Sequence, residues 1–405
     1  MQADGLREIP PTAGLPLRLR DLLPPWQSDF AQQAAKFLRV DAAGLECSGT
    51  ACLIVILRAL QELSGRRTVV VPAYTCPLVA LAIAHCGLQL RLCDLALDSF
   101  ELDPAALAAA CDDDTLAVIP THLAGRVADL SEVLTIAHRH NAFVIEDAAQ
   151  CFGARRDNAS VGLQGDAGFF SFAAGKGLSL YEGGLWIART PEMRKAIARV
   201  SASVPASFAM EIYRCLQLAG YTAFYRPLPL RFVYGMPLRR ALRRRDPVTA
   251  AGDDFSTPIP LHRVGAWRRA VGNRALRRLT DFQIALAAQA SERLPSLTRL
   301  PGVKVFTDTP GVQGVWPLFL ILMPTRAMRD AALDRLWGAG VGVTRMFIHA
   351  LPDYAYLRSR ISPADVYVPN AHDFAARAMT ISNSLWLDDQ RFARIVQILE
   401  ETISR

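Results

Sequence analysis

The sequence contains no apolar run long enough to cross a membrane. Its 405 residues are 51% hydrophobic, but the longest apolar runs, 51–57 and 315–323, are short, whereas a transmembrane helix needs roughly 20 such residues. The first residues also lack the basic, apolar and small-residue order of a secretory signal. We therefore expect no membrane-spanning helix and predict a cytoplasmic location.

The cysteines lack the spacing of a metal site. Eight are present, none in a C-x-x-C pair, and most lie in apolar surroundings, where a free thiol behaves as a small hydrophobic side chain. We expect neither bound metal nor a disulfide framework.

The positive charge is local. The net charge of +7 arises mostly from 226–245 and 263–278, whereas the first 200 residues are nearly balanced. No nucleic-acid-binding motif accompanies this charge, so we expect no nucleic-acid partner.

Short apolar runs alternate with segments of helical periodicity between about 45 and 190. The predicted buried strands are 68–71, 88–93, 116–120, 143–145, 168–172 and 185–188. The predicted helices between them are 51–63, 77–85, 104–111 and 130–140. This alternation indicates an α/β fold with a mainly parallel sheet between helices.

Four parts are predicted along the chain. They are an N-terminal arm (1–44), a large domain (45–199), a basic insertion rich in proline and aromatic residues (200–265), and an interdomain helix with a small α+β domain (266–405). In the last part we expect helices at about 275–297, 326–339 and 388–403, and a strand at 314–323.

A turn of small residues, Ser48-Gly49-Thr50-Ala51, precedes the first helix of the large domain. Free backbone N–H groups and the positive end of the helix dipole suit a phosphate at such a place. An ordinary helix N-cap explains the same residues.

Two acidic residues, Glu146 and Asp147, follow an apolar strand. Asp147 is thereby placed at the carboxyl end of the strand, where α/β sheets build their sites. A carboxylate there can keep a pyridinium nitrogen protonated. The alternative is an acid stabilised by a helix dipole.

Lys176 lies between two glycines just beyond a predicted strand, five residues after Ser171. A lysine in a desolvated pocket loses its proton readily and can form a Schiff base with an aldehyde, while Ser171 can offer a hydroxyl to a phosphate. A surface lysine is the alternative.

His122, at another strand end, is either a pocket residue or a structural histidine.

Six motifs together carry a family resemblance. In chain order they are Ser48-Gly49-Thr50-Ala51, Val71-Pro72-Ala73-Tyr74-Thr75, Asp94 with Leu102-Asp103-Pro104, Thr121-His122-Leu123-Ala124-Gly125, Glu146-Asp147-Ala148-Ala149-Gln150, and Ser171-Phe172 with Lys176 and Glu182-Gly183-Gly184. The sequence thus resembles the DegT/DnrJ/EryC1/StrS family of sugar aminotransferases, which use pyridoxal phosphate (PLP). The resemblance is dense from about 45 to 190 and absent over 1–40 and 200–265.

The resemblance implies a large PLP-binding domain with a seven-stranded type of sheet, and a role for each matching residue. Lys176 would carry the cofactor and move the substrate proton, and Asp147 would pair with the pyridine nitrogen. Gln150 would lie near the phenolic oxygen of the cofactor. The phosphate would be held by Gly49, Thr50 and Ser171.

The implied reaction moves an amino group from an amino acid, expected to be glutamate, to a keto sugar, expected to be nucleotide-linked. The product would enter polysaccharide, glycolipid or secondary-metabolite synthesis, and the enzyme would be a homodimer. There are two alternatives. One is a PLP-dependent lyase on the same fold, and the other is a non-catalytic scaffold protein that retains the fold.

Three positions depart from the family pattern. Cys76 stands where the family has an aromatic or histidine stacked on the cofactor ring, with Tyr74 as a candidate substitute. Leu276 replaces an asparagine that contacts the phosphate of the neighbouring subunit. The insertion has three interpretations: a lid that binds an acidic or diphosphate substrate, an amphipathic patch (213–245) that rests on an anionic membrane, or a solvated interface-forming segment.

Overall fold

A seven-stranded sheet organises the first half of the chain. The structure is a computed structural model that describes residues 7–24, 29–255 and 258–404. Its strands are β1 (Gly44–Glu46), β2 (Thr68–Pro72), β3 (Gln89–Cys93), β4 (Thr115–Val118), β5 (Phe143–Asp147), β6 (Arg155–Arg156), β7 (Ala159–Ser160), β8 (Ala167–Ser171), β9 (Gly184–Ala188), β10 (Lys304–Val305), β11 (Val312–Gln313), β12 (Leu318–Leu322), β13 (Val343–Thr344) and β14 (Ala378–Ser382).

Helices cover the sheets and form most of the middle segment. They are α1 (Phe30–Leu38), α2 (Gly49–Leu63), α3 (Pro77–His85), α4 (Pro104–Ala110), α5 (Ser131–Arg139), α6 (Pro191–Ala202), α7 (Phe208–Phe224), α8 (Pro227–Leu230), α9 (Met236–Arg243), α10 (Pro247–Ala251), α11 (Ala266–Leu276), α12 (Leu279–Thr298), α13 (Arg326–Leu336), α14 (Pro369–Arg377) and α15 (Asp389–Ile403). A π-helical turn, Arg231–Gly235, joins α8 to α9. Across the described residues, none of these helices is both long and apolar enough to traverse a membrane.

The large sheet is mainly parallel, as predicted. Its strand order is β1-β9-β8-β5-β4-β2-β3. The five strands from β8 to β3 run parallel, whereas β9 is antiparallel to β8 and β1 to β9. The carboxyl ends of β4, β5 and β8 therefore meet at one edge, which is where α/β sheets place ligands.

The apolar runs explain why the strands form where the sequence predicted them. The residues of β2 and β4 are buried throughout, because helices pack on both faces of the sheet. The first three turns of α2 are also mostly buried. This helix therefore lies inside the large domain, with its first turn at the carboxyl end of β8 and the amino end of β9.

The last part of the chain forms a four-stranded antiparallel sheet of order β10-β12-β14-β13, with α13 packed against α15. The predicted α+β character is confirmed, but two predicted bounds differ. The strand expected at 314–323 is limited to β12. The backbone N–H of Gly314 donates to the Asp308 carboxylate and that of Val315 to the Gly125 carbonyl, instead of to a neighbouring strand. The helix expected from about 275 begins at Leu279, after Arg278 has turned to pair with Asp21.

The insertion is largely helical, and α7 joins it to the body by charged contacts. Arg268 is fully buried, and its guanidinium donates three hydrogen bonds of 2.6–3.1 Å to the Glu211 carboxylate and one to the carbonyl of Glu182. Arg214 pairs with the Glu182 carboxylate at 2.6 Å. Burial acts to raise the pKa of Glu211, but the hydrogen bonds and charge of Arg268 hold it below its ordinary value.

Replacing Glu211 by glutamine should destabilise the protein by about 3 kcal/mol, because the buried Arg268 charge loses its counterion. The folded-state pKa of Glu211 is depressed, so its stabilising effect should disappear as the pH falls below the ordinary carboxyl value of 4.5. Urea unfolding at neutral and acid pH measures both effects.

The matched control is Glu62→Gln, which breaks the exposed pair with Arg199. That change should cost less than about 1 kcal/mol. Equal losses of unfolding free energy in the two variants would show that the buried contact of Glu211 with Arg268 stabilises the protein no more than an exposed ion pair.

Candidate active site

A cavity of about 790 Å³ opens at the carboxyl edge of the large sheet. Its lining comes from the sheet edge, the insertion, the N-terminal arm (10–12) and the segments 317–318 and 346–347. All the candidate site residues border it, namely Gly49, Thr50, Cys76, Asp147, Gln150, Ser171 and Lys176. The fold therefore brings together residues that are more than a hundred positions apart in sequence.

Lys176 lies in the turn after β8, between the N-terminal arm and α7. The Thr12 hydroxyl donates to the carbonyl of Gly175 at 2.6 Å, and the N–H of Leu15 donates to the carbonyl of Gly177 at 2.9 Å. Gly175 has a φ of +81°, a conformation that favours glycine. Burial lowers the pKa of Lys176, while the nearby Cys76 and Asp147 act to raise it.

Asp147 ends β5 and is 3% exposed. Its backbone N–H donates to the Pro120 carbonyl, and its carboxylate accepts the N–H of Ala149 at 3.0 Å. Burial raises the pKa of Asp147, whereas that N–H and the charge of Lys176 act to lower it. A carboxyl group in this setting binds a nearby cation strongly, because little water competes.

The neighbouring Glu146 points to the other face of the strand and has a structural role. It is fully buried, and its carboxylate accepts the N–H groups of Gly162 and Gly165 at 2.7 Å each. His122 Nε2 lies 2.9 Å from the same carboxylate, while Nδ1 accepts the N–H of Ala128. Both ring nitrogens are thus engaged, and His122 also borders the cavity, so it is a structural histidine in the pocket wall.

The first turn of α2 closes one end of the cavity. Ser48 caps the helix by accepting the N–H of Ala51 at 3.0 Å. A Cβ on Gly49 would lie 3.1 Å from Cβ of Ser171, and one on Gly184 would lie 2.4 Å from the Ser48 carbonyl oxygen. Glycine at these positions lets the helix N-terminus sit directly on the ends of β8 and β9.

Two candidate residues contact the far sides of the cavity. The Gln150 side chain accepts the N–H of Ala124 at 2.7 Å, and its amide nitrogen lies 3.4 Å from the sulfur of Met346. Cys76 is the N-cap residue of α3, and burial raises the pKa of its thiol to about 12. Burial therefore disfavours the thiolate form of Cys76.

Tyr74 does not face the cavity. It is buried, its ring packs against Phe347 and Phe374, and its hydroxyl donates to the Phe347 carbonyl at 3.1 Å. The prediction that Tyr74 replaces the residue stacked on the cofactor ring is therefore wrong. Hydrogen bonds between the Tyr74 hydroxyl and the backbone of Phe347 orient Tyr74 towards the small domain.

The insertion supplies an aromatic wall that the sequence did not predict. Its cavity-lining side chains include Tyr221, Phe224, Tyr225 and Tyr234. In the described part of the insertion, no arginine lines the cavity. Arg226 instead donates to the carbonyl of Leu17, so it holds the N-terminal arm.

A mainly parallel seven-stranded sheet, with an aspartate at the end of β5 and a lysine in the turn after the neighbouring β8, is the arrangement that the family resemblance implied. Residues 24–212 match the model of the DegT/DnrJ/EryC1/StrS aminotransferase family, and the resemblance predicted from the motifs is confirmed. The crystal structure of DesV from Streptomyces venezuelae superposes with a TM-score of 0.71 at 23% identity, covering 95% of this chain and 90% of that one. This likeness establishes the fold.

Two sequence relatives differ in how far the similarity extends. The dTDP-3-amino-3,4,6-trideoxy-alpha-D-glucose transaminase of S. venezuelae is 26% identical over 95% of this chain and 89% of its own. GDP-perosamine synthase of Caulobacter vibrioides is 35% identical, but over 39% of this chain and 42% of its own. The similarity to the second relative thus covers less than half of either protein.

The two neighbouring acids should respond differently to removal of their charge. Glu146→Gln should destabilise the protein by about 2 kcal/mol, because a glutamine cannot accept from all three donors. Asp147→Asn should leave stability unchanged or raise it, because burial disfavours this charge. Urea unfolding of the cofactor-free variants tests the assignment, which is wrong if Asp147→Asn is the more destabilised.

Proposed function

We propose that the protein is a PLP-dependent aminotransferase that moves an amino group from an amino acid, expected to be glutamate, to a nucleotide-linked keto sugar. The observation that carries this proposal is the placement of Lys176 and Asp147. They border one cavity from the ends of β8 and β5, which are neighbouring parallel strands. The proposed reaction takes place in the cytoplasm.

The residues present fit PLP. The N-terminus of α2, with Gly49 and Thr50, together with Ser171 offers backbone N–H groups and hydroxyls to a phosphate. Asp147 is a buried carboxyl suited to a protonated pyridine nitrogen, and Gln150 is available to the phenolic oxygen. When bound, PLP supplies an aldehyde for the amine and a ring that withdraws electrons.

Lys176 is the residue we assign to amine and proton chemistry. Because burial lowers its pKa, a larger share of the amine is unprotonated near neutral pH than for an exposed lysine. An unprotonated amine can attack an aldehyde, and it can also remove a proton from the substrate and return it. The bond from Thr12 to Gly175 holds the turn that presents it.

The size and composition of the cavity support a large acceptor. Its volume of about 790 Å³ lies in the upper part of the range of ligand pockets. The wall formed by Tyr221, Phe224 and Tyr234 offers apolar and aromatic surface next to the polar sheet edge. The names of the relatives, which contain dTDP- and GDP-sugars, support a nucleotide sugar as the acceptor.

A homodimer is the expected assembly. The proposal rests on the family resemblance, in which the site is built at a subunit interface. Light scattering of the purified protein measures its mass and tests this expectation.

Borohydride reduction of the PLP-loaded protein should attach one cofactor to Lys176, as located by mass mapping of peptides. Lys176→Arg should abolish the adduct and lower glutamate-dependent transamination by at least about 10³-fold. The control, Lys195→Arg, changes an exposed lysine on α6 and should behave as the wild type.

The outcome separates the alternatives. An adduct on another lysine, or none, rejects the assignment of Lys176. An adduct on Lys176 without any change of cofactor absorbance upon addition of amino donors rejects transamination and favours a lyase.

Gly184→Ala should weaken the binding of PLP about tenfold or more but have little effect on pyridoxal, which lacks the phosphate. The added Cβ meets the Ser48 carbonyl oxygen and displaces the N-terminus of α2. Gly65→Ala is the control, since nothing lies within 4 Å of its Cβ. Equal weakening for both ligands would show that the helix N-terminus is not the phosphate site.

A further inference from the structure

Large apolar side chains are exposed mainly in one segment of the insertion. Of the 17 exposed large apolar residues in the described ranges, nine fall between 208 and 236. Three of them form a strip along α7: Phe208, Ile212 and Leu216, which are 82%, 44% and 67% exposed. Such clustering in a folded protein marks a contact surface.

The helix α7 is oriented with its charged side towards the protein. Arg214, which is buried, and Glu211 are bonded to the body, whereas Phe208, Ile212 and Leu216 recur every four residues on the opposite side. The inward side also carries the fully buried Leu218, so the outward apolar residues are additional to those that cover the core. The outward face of α7 therefore fits an apolar partner.

The exposed residues continue from α7 to the mouth of the cavity. We call Phe224, Leu228, Phe232, Val233 and Met236 the apolar rim; these side chains are 45–59% exposed. Phe224 and Val233 of the rim also line the cavity. The cavity thus opens next to this surface.

The same segment is strongly basic. Between 208 and 245 the sequence has one acidic residue, Glu211, and eight arginines (214, 226, 231, 239, 240, 243, 244 and 245). On α9, Arg240 and Arg243 follow Met236 at the fourth and seventh positions, so the three lie on one exposed face, opposite the buried Leu238. Met236 of the apolar rim and these two arginines therefore share one exposed face of α9.

We propose that the α7 strip, the apolar rim and the exposed arginines of α9 dock the protein on a bilayer that contains anionic phospholipids. Apolar side chains enter the boundary between headgroups and acyl chains, and arginines bind the lipid phosphates. A second copy of the chain fits less well, because it would bring the same arginines against this face. The docking does not depend on the proposed aminotransferase activity.

Co-sedimentation of the full-length protein with vesicles tests the proposal. The wild type should bind vesicles of phosphatidylcholine mixed with phosphatidylglycerol, bind pure phosphatidylcholine weakly, and dissociate as salt is added. Leu228→Glu/Phe232→Glu should lower binding by about tenfold or more, because two apolar contacts are replaced by acids. Neither residue lines the cavity.

Matched variants guard against unfolding and general charge effects. Leu97→Glu/Tyr367→Glu changes two residues that are 74% and 84% exposed elsewhere and should bind as the wild type. Arg240→Gln/Arg243→Gln should weaken binding and reduce its salt dependence. Lys176→Arg should bind normally, which separates docking from catalysis.

Three results would overturn the proposal. They are the absence of binding to anionic vesicles, equal losses in the rim and control variants, and a halved molar mass of Leu228→Glu/Phe232→Glu in light scattering without lipid. The last result would identify the surface as a subunit interface.

Discussion

The buried carboxylate of Glu146 is the interaction on which the site depends. It accepts hydrogen bonds from the backbone of Gly162 and Gly165 and lies 2.9 Å from the ring of His122. It therefore ties the end of β5 to the turn after β4 and to the loop before β8. Because side chains alternate along a strand, fixing Glu146 on one face fixes Asp147 on the other.

A second constraint is the close approach of backbone at the start of α2. Glycine at 49 and 184 removes the Cβ atoms that would hold the helix away from β8 and β9. The helix N-terminus thereby faces the same cavity as Lys176. The positive end of the helix dipole, the buried carboxyl of Asp147 and the amine of Lys176 then border one cavity through backbone packing.

The sequence predicted the sheet because its strands are continuous apolar runs separated by clear turn residues. It also predicted which residues border the cavity, since the motifs stand at strand ends. The strand β14 was missed because it follows α14 without an intervening glycine or proline. Tyr74 was misplaced because its orientation depends on the Phe347 backbone, which is 273 positions away.

The two sides of the cavity differ in how far local sequence determines them. Residues that would contact the cofactor come from 48–176 and lie at the ends of adjacent strands, so periodicity places them. The opposite wall comes mainly from α7–α10, with the segments 10–12, 317–318 and 346–347. The helix α7 is held by the contact of Arg268 with Glu211, by the pair of Arg214 with Glu182 and by the buried Leu218. Together these contacts fix which side of α7 faces inward. Phe208, Ile212 and Leu216 are consequently left outward, so the contacts that place α7 beside the cavity also create the exposed surface next to it.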